Sequence, residues 1–218
     1  MRKILFGLLM LVGFYSNAQE YKLEEKSVTG IFEANGKTKA ELFSAINKWI
    51  SVNYKSANSV IQLNDAEAGT IVIKGNADYP IKNYFKPFLN YLFQNSNYDY
   101  FYNPFSHLIQ IDIKDNKFRV KYTITGCDNS SSSFEINNKE IYNGINFIDH
   151  NNVFVDYNAF ADSYIKAYYI GATKKNKEKF IAVLKPFFEE VNVVLEREIK
   201  ITMESINLSI KSTENDKW

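Results

Sequence analysis

Two histidines, one cysteine and a scatter of carboxylates are the residues of this 218-residue chain with the most chemistry to offer. His107 and His150 stand in no H-x-x-H or H-E-x-x-H arrangement, and Cys127 has no C-x-x-C partner, so the spacing of a metal site is missing. A Cys127–His150 nucleophile pair would need the segment between them to fold back. The plainer reading has Cys127 ending a strand and His150 in an asparagine-rich stretch. Asp112, Asp149 and Asp156 are not spaced as an acid/base couple and read as solvated carboxylates. The chain holds no G-x-G-x-x-G, Walker or G-x-S-x-G pattern. The residues therefore assign no catalytic group, no cofactor and no metal ligand.

Tyrosine is the exception. Tyr98, Tyr100 and Tyr102 alternate within a polar stretch, Tyr98–Pro104, that reads as an irregular loop. A tyrosine ring is a rigid apolar surface with a hydrogen-bonding tip, suited to stacking on a sugar or anchoring a protein partner. These three are the candidate partner contacts. Just upstream, Tyr84, Phe85, Phe88, Leu89 and Leu92 recur at roughly helical spacing and read as cover for a core.

The elements that must position these residues are more legible. Thr38 and Glu41 have the spacing of a capping box, and Leu42, Ile46, Trp49 and Ile50 follow as an apolar helical stripe. Val60–Leu63 and Thr70–Ile73 are β-rich around an acidic turn ending in Gly69. Ile109, Ile111 and Ile113, then Phe118, Val120, Tyr122 and Ile124, alternate with polar residues across Asp115-Asn116, which predicts a hairpin with one buried face. Tyr21–Phe32 reads as a first strand. Cys127–Tyr157 reads as a long polar connection in which Ile145, Phe147, Ile148 and Phe154 partly pack. A helix is expected over 158–170, and another from Asn176 with Pro186 kinking it or opening a new one. Beyond Lys200 both strand and helix patterns fit. The expected fold is a two-layer α+β domain, an antiparallel sheet with helices on one face in the order β-α-β-β-β-β-α, with an aromatic insertion between the two hairpins.

Residues 1–18 read as a secretory signal peptide: Arg2 and Lys3, an apolar run from Ile4 to Tyr15 too short for a stable span, then Ser16 and Ala18 at the −3 and −1 positions of a cleavage site. No cysteine follows that run to take a lipid. Cleavage turns the formal net charge from +1 to −1 and leaves 200 residues, enough for one domain over 19–210 with a polar tail over 211–218. A near-neutral chain has no general attraction to nucleic acid or anionic membrane. The expected location is periplasmic or secreted, with no membrane span after cleavage.

The run KTKAELFSAINKWISVNYKSANSVIQLNDAEAGTIVIKG, followed by IDIKDNKFRVKYTITG, resembles a bacterial exported domain of unknown function with TBP-like fold. Its marks fall on Trp49, Glu67, Gly69, Gly75, Lys114, Asp115, Lys117 and Arg119, and the likeness covers roughly 28–126. The resemblance implies an envelope protein of the β-α-β4-α type and no activity. The chain departs from the pattern in the aromatic insertion, Asp78–Phe105, and in a helical C-terminal part over 158–210. The name invites a nucleic-acid partner. The wet face of Gln110, Asp112, Lys114, Arg119 and Lys121 has no row of phenylalanine wedges for a minor groove. The leading expectation is a noncatalytic binding or interaction module whose partner is an envelope protein or a glycan. The alternative is a small extracytoplasmic hydrolase or isomerase. N-terminal sequencing of the purified exported protein should begin at Gln19; recovery of Met1 would remove the signal peptide from the argument.

Overall fold

The computed structural model describes residues 20–86, 99–127, 138–150, 155–168 and 173–212. Residues 1–19, Tyr98, Phe88, Leu89, Leu92 and Phe154 lie outside these residues. The elements are β1 (Tyr21–Glu24), β2 (Ser27–Glu33), α1 (Lys39–Asn53), α2 (Ala57–Val60), β3 (Ile61–Asp65), β4 (Thr70–Lys82), β5 (Tyr100–Lys114), β6 (Lys117–Cys127), α3 (Asn138–Asn143), α4 (Tyr157–Tyr168) and α5 (Lys174–Ser212).

Six antiparallel strands make one sheet in the order β1-β2-β6-β5-β4-β3. The expected single first strand is in fact a hairpin, because Glu25 and Lys26 turn the chain before Ser27. The alternation seen in the sequence selects the buried face. Val28 and Phe32, Ile71 and Ile73, Ile109, Ile111 and Ile113, and Phe118, Val120 and Tyr122 all point under α1 and α5. Phe32 and Phe118 face each other across β2 and β6 with their rings stacked 4.8 Å apart.

The capping box of α1 is present, with Thr38 accepting from the Glu41 N–H and Glu41 reaching back to the Thr38 N–H. The turn between β5 and β6 adds a second clamp. Asp115 accepts from the Lys39 N–H at 2.7 Å, where the helix dipole favours an anion, and Asn116 accepts from the Gly36 N–H at 2.7 Å. Asn116 takes a positive φ of 63° to do so. Gly69 closes the acidic turn at φ 71°, with its carbonyl accepting from Ile113 N–H at 2.7 Å; a Cβ there would lie 2.6 Å from the Ile113 carbonyl oxygen.

α5 is one 39-residue helix, so Pro186 neither ends it nor starts another. The proline gives up one helical bond. Buried Leu184, Phe187, Phe188 and Val191 on both sides hold the helix through it. The same helix settles the ambiguous stretch beyond Lys200, where Met203, Ile206 and Ile210 are buried. The connection after Cys127 contains α3, and Ile141, Ile145 and Phe147 pack into the core, whereas Ile148 is exposed. Asn192 of α5 explains how. It donates to the Gly144 carbonyl and accepts from the Asn146 N–H at 2.7 Å, all buried.

Trp49 packs between α1 and α5. It is 6% exposed, and its indole N–H donates to Ser205 of α5 at 3.0 Å. Trp49→Ala removes this packing and should cost about 3–5 kcal/mol in a urea melt; Trp49→Phe should cost less, because the ring is kept and only the hydrogen bond is lost.

Candidate functional site

One face of the sheet is buried under helices; among the described residues only the end of α5 approaches the strands on the other. Its side chains come from the alternate positions: Lys22 and Glu24 of β1, Thr29 and Ile31 of β2, Arg119 and Lys121 of β6, Gln110 and Asp112 of β5. They line a shallow concavity of about 900 Å³ together with Asn207 and Lys211 of α5. Two of the carboxylates on it, Glu24 and Asp112, are already paired. Glu24 lies between Lys121 at 2.6 Å and Lys22 at 3.1 Å, and these hydrogen bonds lower its pKa. Burial pushes Asp112 up, yet the hydrogen bonds from Arg119, at 2.6 Å, and Gln110 outweigh it and leave the carboxyl below its ordinary value. Self-paired charge on a solvated face adds little stability and leaves no strong field to select a charged ligand.

The candidate tyrosines belong to this face. The stretch expected as a loop is the first part of β5: β4 and β5 run on in register to Lys82 opposite Tyr100, beyond the last β3 partner at Ile73 and the last β6 partner at Cys127. The aromatic insertion thus begins by lengthening a hairpin into a two-stranded arm. Two prolines hid this continuity from the sequence. Pro80 faces Tyr102 and Pro104 faces Asp78, two residues apart on the ladder. The bonds Asn83 N–H to Asp99 and Ile113 N–H to Gly69 place the bonded pairs at the odd-numbered positions of β4. Both prolines therefore fall in pairs that exchange no hydrogen bonds, where a missing N–H costs nothing. Tyr100 and Tyr102 are 54% and 68% exposed, side by side on one strand, with Pro80 as the cross-strand neighbour of Tyr102. Phe85, by contrast, is core cover as its spacing suggested, packed against Phe180 and Phe187.

On the buried face lies a polar cluster absent from the sequence reading. His107 of β5 is buried, its Nε2 3.2 Å from the Tyr54 hydroxyl at the end of α1 and its ring 4.8 Å from that of Tyr122. Tyr122 and Tyr79 share a hydroxyl–hydroxyl hydrogen bond of 3.0 Å. Opposite His107 is Gly75, where a Cβ would lie 3.0 Å from Nε2 and 3.2 Å from the Tyr54 ring. The signal was available: His107 is in phase with Ile109, Ile111 and Ile113, and an in-phase residue on a half-buried strand is buried. Burial pulls the imidazole down to about 4, against a weaker opposing pull from the Phe105 carbonyl, and raises Tyr54 to about 12. His107 Nδ1 has no aligned hydrogen-bond partner, so a second ring proton would be poorly served.

His150 is held elsewhere, against α5. Its Nε2 lies 2.8 Å from a Glu196 carboxylate oxygen, a close contact without an aligned hydrogen bond. Cys127 lies at the end of β6, opposite Phe105. Among the described residues no group of three or more His, Cys, Asp and Glu side chains is placed to hold a metal ion, and no helix is long and apolar enough to cross a membrane.

His107 generates a pH dependence with a definite sign. Its folded pKa is about 4 and its ordinary value 6.5, so between these values the unfolded chain binds the extra proton. Its contribution is present above pH 6.5 and lost as pH falls toward 4, by about 3 kcal/mol for a shift of this size. Urea melts across that window should show the slope, and His107→Gln should flatten it; an identical slope in the variant would assign the effect to the carboxylates.

No curated protein matches the chain. Among solved structures, a DUF4468 family protein from Bacteroides ovatus is 12% identical, over 87% of this chain and 88% of that one, with a TM-score of 0.44. A TBP-like protein from Parabacteroides distasonis is also 12% identical, over 83% and 92%, with a TM-score of 0.42. Residues 29–125, from β2 through β6 with α1 between them, match the family described as a domain of unknown function (DUF4468) with TBP-like fold. The chain therefore carries, from residue 29 to residue 125, a domain of the DUF4468 family.

Proposed function

We propose that this protein is a noncatalytic binding module of the cell envelope, engaging a protein or glycan through the open sheet face at Tyr100 and Tyr102. The observation that carries the reading is the pair of rings, more than half exposed, on an arm that extends beyond the other strands of the sheet. The inner side of the arm is packed in the core through Tyr79, Ile81 and Phe105, which leaves the rings on its outer side free to make contacts. Tyrosines in such a place combine broad contact area with low entropic cost on binding. Tyr98 falls outside the described residues and is kept as a third contact by its alternation with the other two. Export is supported by the order of residues 1–18, a basic start, an apolar run and a small-residue cleavage site.

The test is a Tyr100→Ala/Tyr102→Ala protein compared with the unaltered one in capture from envelope fractions and on a glycan array. Each truncated hot spot typically costs about 2 kcal/mol or more, so the double change should abolish retention of a micromolar partner. Its melting temperature should stay close to that of the unaltered protein, because both rings face solvent. A lowered melt would make the tyrosines structural, and full retention would move the site elsewhere.

A further inference from the structure

The arm that carries Tyr100 and Tyr102 has two open edges and one open face, and they are not equally fit to bind. Among the described residues β3 leaves β4 at Ile73 and β6 leaves β5 at Phe105, so beyond these points each strand of the arm has an unpaired edge. Such an edge is where an extended peptide adds itself as a further strand, through main-chain hydrogen bonds. Here a proline breaks each one. A residue in a pair that exchanges no hydrogen bonds turns its N–H away from the partner strand. Pro80 and Pro104 stand in two such pairs, so Pro80 interrupts the edge of β4 and Pro104 the edge of β5. Prolines so placed refuse an added strand. The face is what remains.

On that face β5 presents Tyr100, Tyr102 and Pro104 in one row, and β4 sets Lys82, Pro80 and Asp78 opposite them in the same order. Tyr102 therefore has a proline across the ladder and another further along its own strand. Successive side chains on one face of a strand lie about 6.7 Å apart, comparable with the repeat of a chain of pyranose rings, so each tyrosine has room for a sugar of its own. The face of a pyranose is a patch of weakly positive C–H bonds, and the face of a tyrosine ring is negative. Charge agrees. Asp78 and Lys82 flank the rings on β4, and Asp99, next to Tyr100, is held by Lys86 at 2.8 Å. Two anions and two cations leave no net field to draw in an ionic ligand. What the row of β4 does offer is hydrogen bonding to hydroxyl groups, continued by Asn76 and Ser106, which are joined across the ladder at 2.9 Å. A peptide laid on this face would find stacking for its side chains and few partners for its backbone, whereas a sugar keeps its outer hydroxyls in water. Resting on the reading of Tyr100 and Tyr102 as a contact site, we propose that the arm is a stacking platform for a neutral, hexose-built glycan, with the two rings under neighbouring sugars.

The probes are cellohexaose, maltohexaose and mannohexaose, with hexagalacturonate as the acidic control, titrated calorimetrically into the whole protein. At least one neutral hexamer should bind, with the same affinity at low and high salt, and hexagalacturonate should not. Tyr102→Ala should weaken that binding by about tenfold or more. Tyr102→Phe, which keeps the ring, should weaken it less, and both variants should melt with the unaltered protein. No binding by any neutral hexamer at millimolar concentration overturns the proposal, as does equal binding of hexagalacturonate. The Tyr100→Ala/Tyr102→Ala protein separates this failure from a wrong site. An envelope protein lost from capture by that variant, with no hexamer bound by the unaltered protein, would keep the contact site and remove the glycan. A hexamer bound equally well by the variant would remove the site itself. A dimer in sedimentation that dissolves in the variant would put a second copy on the face in place of the glycan.

Discussion

The attachment of α1 to the sheet and to α5 is the constraint on which the rest of the structure depends. It is made at three points along fifteen residues. At the start, Asp115 and Asn116 of the β5–β6 turn hold the backbone of residues 36–39 while the Thr38–Glu41 box closes the helix. Toward its C-terminal end, Trp49 donates to Ser205 of α5. At the end, Tyr54 reaches His107. A single hydrogen bond or cap of this kind contributes about 1 kcal/mol, small beside the burial of Leu42, Ile46, Trp49 and Ile50. Their role is directional. Burial rewards any apolar face laid on any other, whereas three polar contacts at known spacing admit one position and one angle. That position roofs His107 and fixes α1 against α5.

The same logic separates what could be read from the sequence from what could not. Period-2 alternation over Ile109–Ile113 and Phe118–Ile124 is a direct imprint of a half-buried strand, and the Thr38-x-x-Glu41 box is a direct imprint of a helix start, so both appear as expected. The long β4 and β5 did not, because Gly75, Pro80 and Pro104 resemble punctuation. Their meaning lies in the partner strand, through ladder phase for the prolines and ring clearance over Gly75 for the His107 side chain. Pro186 is a similar case, since packing on both sides of α5 overrides a local breaker. Asn192 looks like an ordinary polar residue until Gly144 and Asn146 are placed around it. For the tyrosines, the residues were legible and their context was not: what looked like a loop is a strand. Strand geometry puts Tyr100 and Tyr102 on one face, which a loop would not guarantee.

The two faces of the sheet divide the labour of the molecule. The inner face holds the apolar core and one buried His–Tyr cluster, and changes there act through stability. The outer face carries ion pairs that neutralise one another locally, so its contribution to the fold is small and its residues are free to be used. Nothing in the fold requires Tyr100 and Tyr102 to be aromatic, a demand that solvent alone does not make.

The pairing of β2 with β6 has a consequence for the order in which the protein is made. Val28 meets Tyr122, and Phe32 meets Phe118, so the N-terminal hairpin leaves synthesis long before its partner strand exists. The β3–β6 meander can form from near neighbours, but β2 must wait for the closure of a loop of some ninety residues, the slow kind of step in β-rich folding. Meanwhile β1–β2 is a short hairpin, marginal on its own, with a bare edge available to any other nascent chain. Lys22, Glu24, Glu25, Lys26 and Glu33 crowd that hairpin with charge. In the finished sheet several of them do little that a neutral residue would not; during the wait they act as gatekeepers, keeping an orphan hairpin from pairing with the wrong strand.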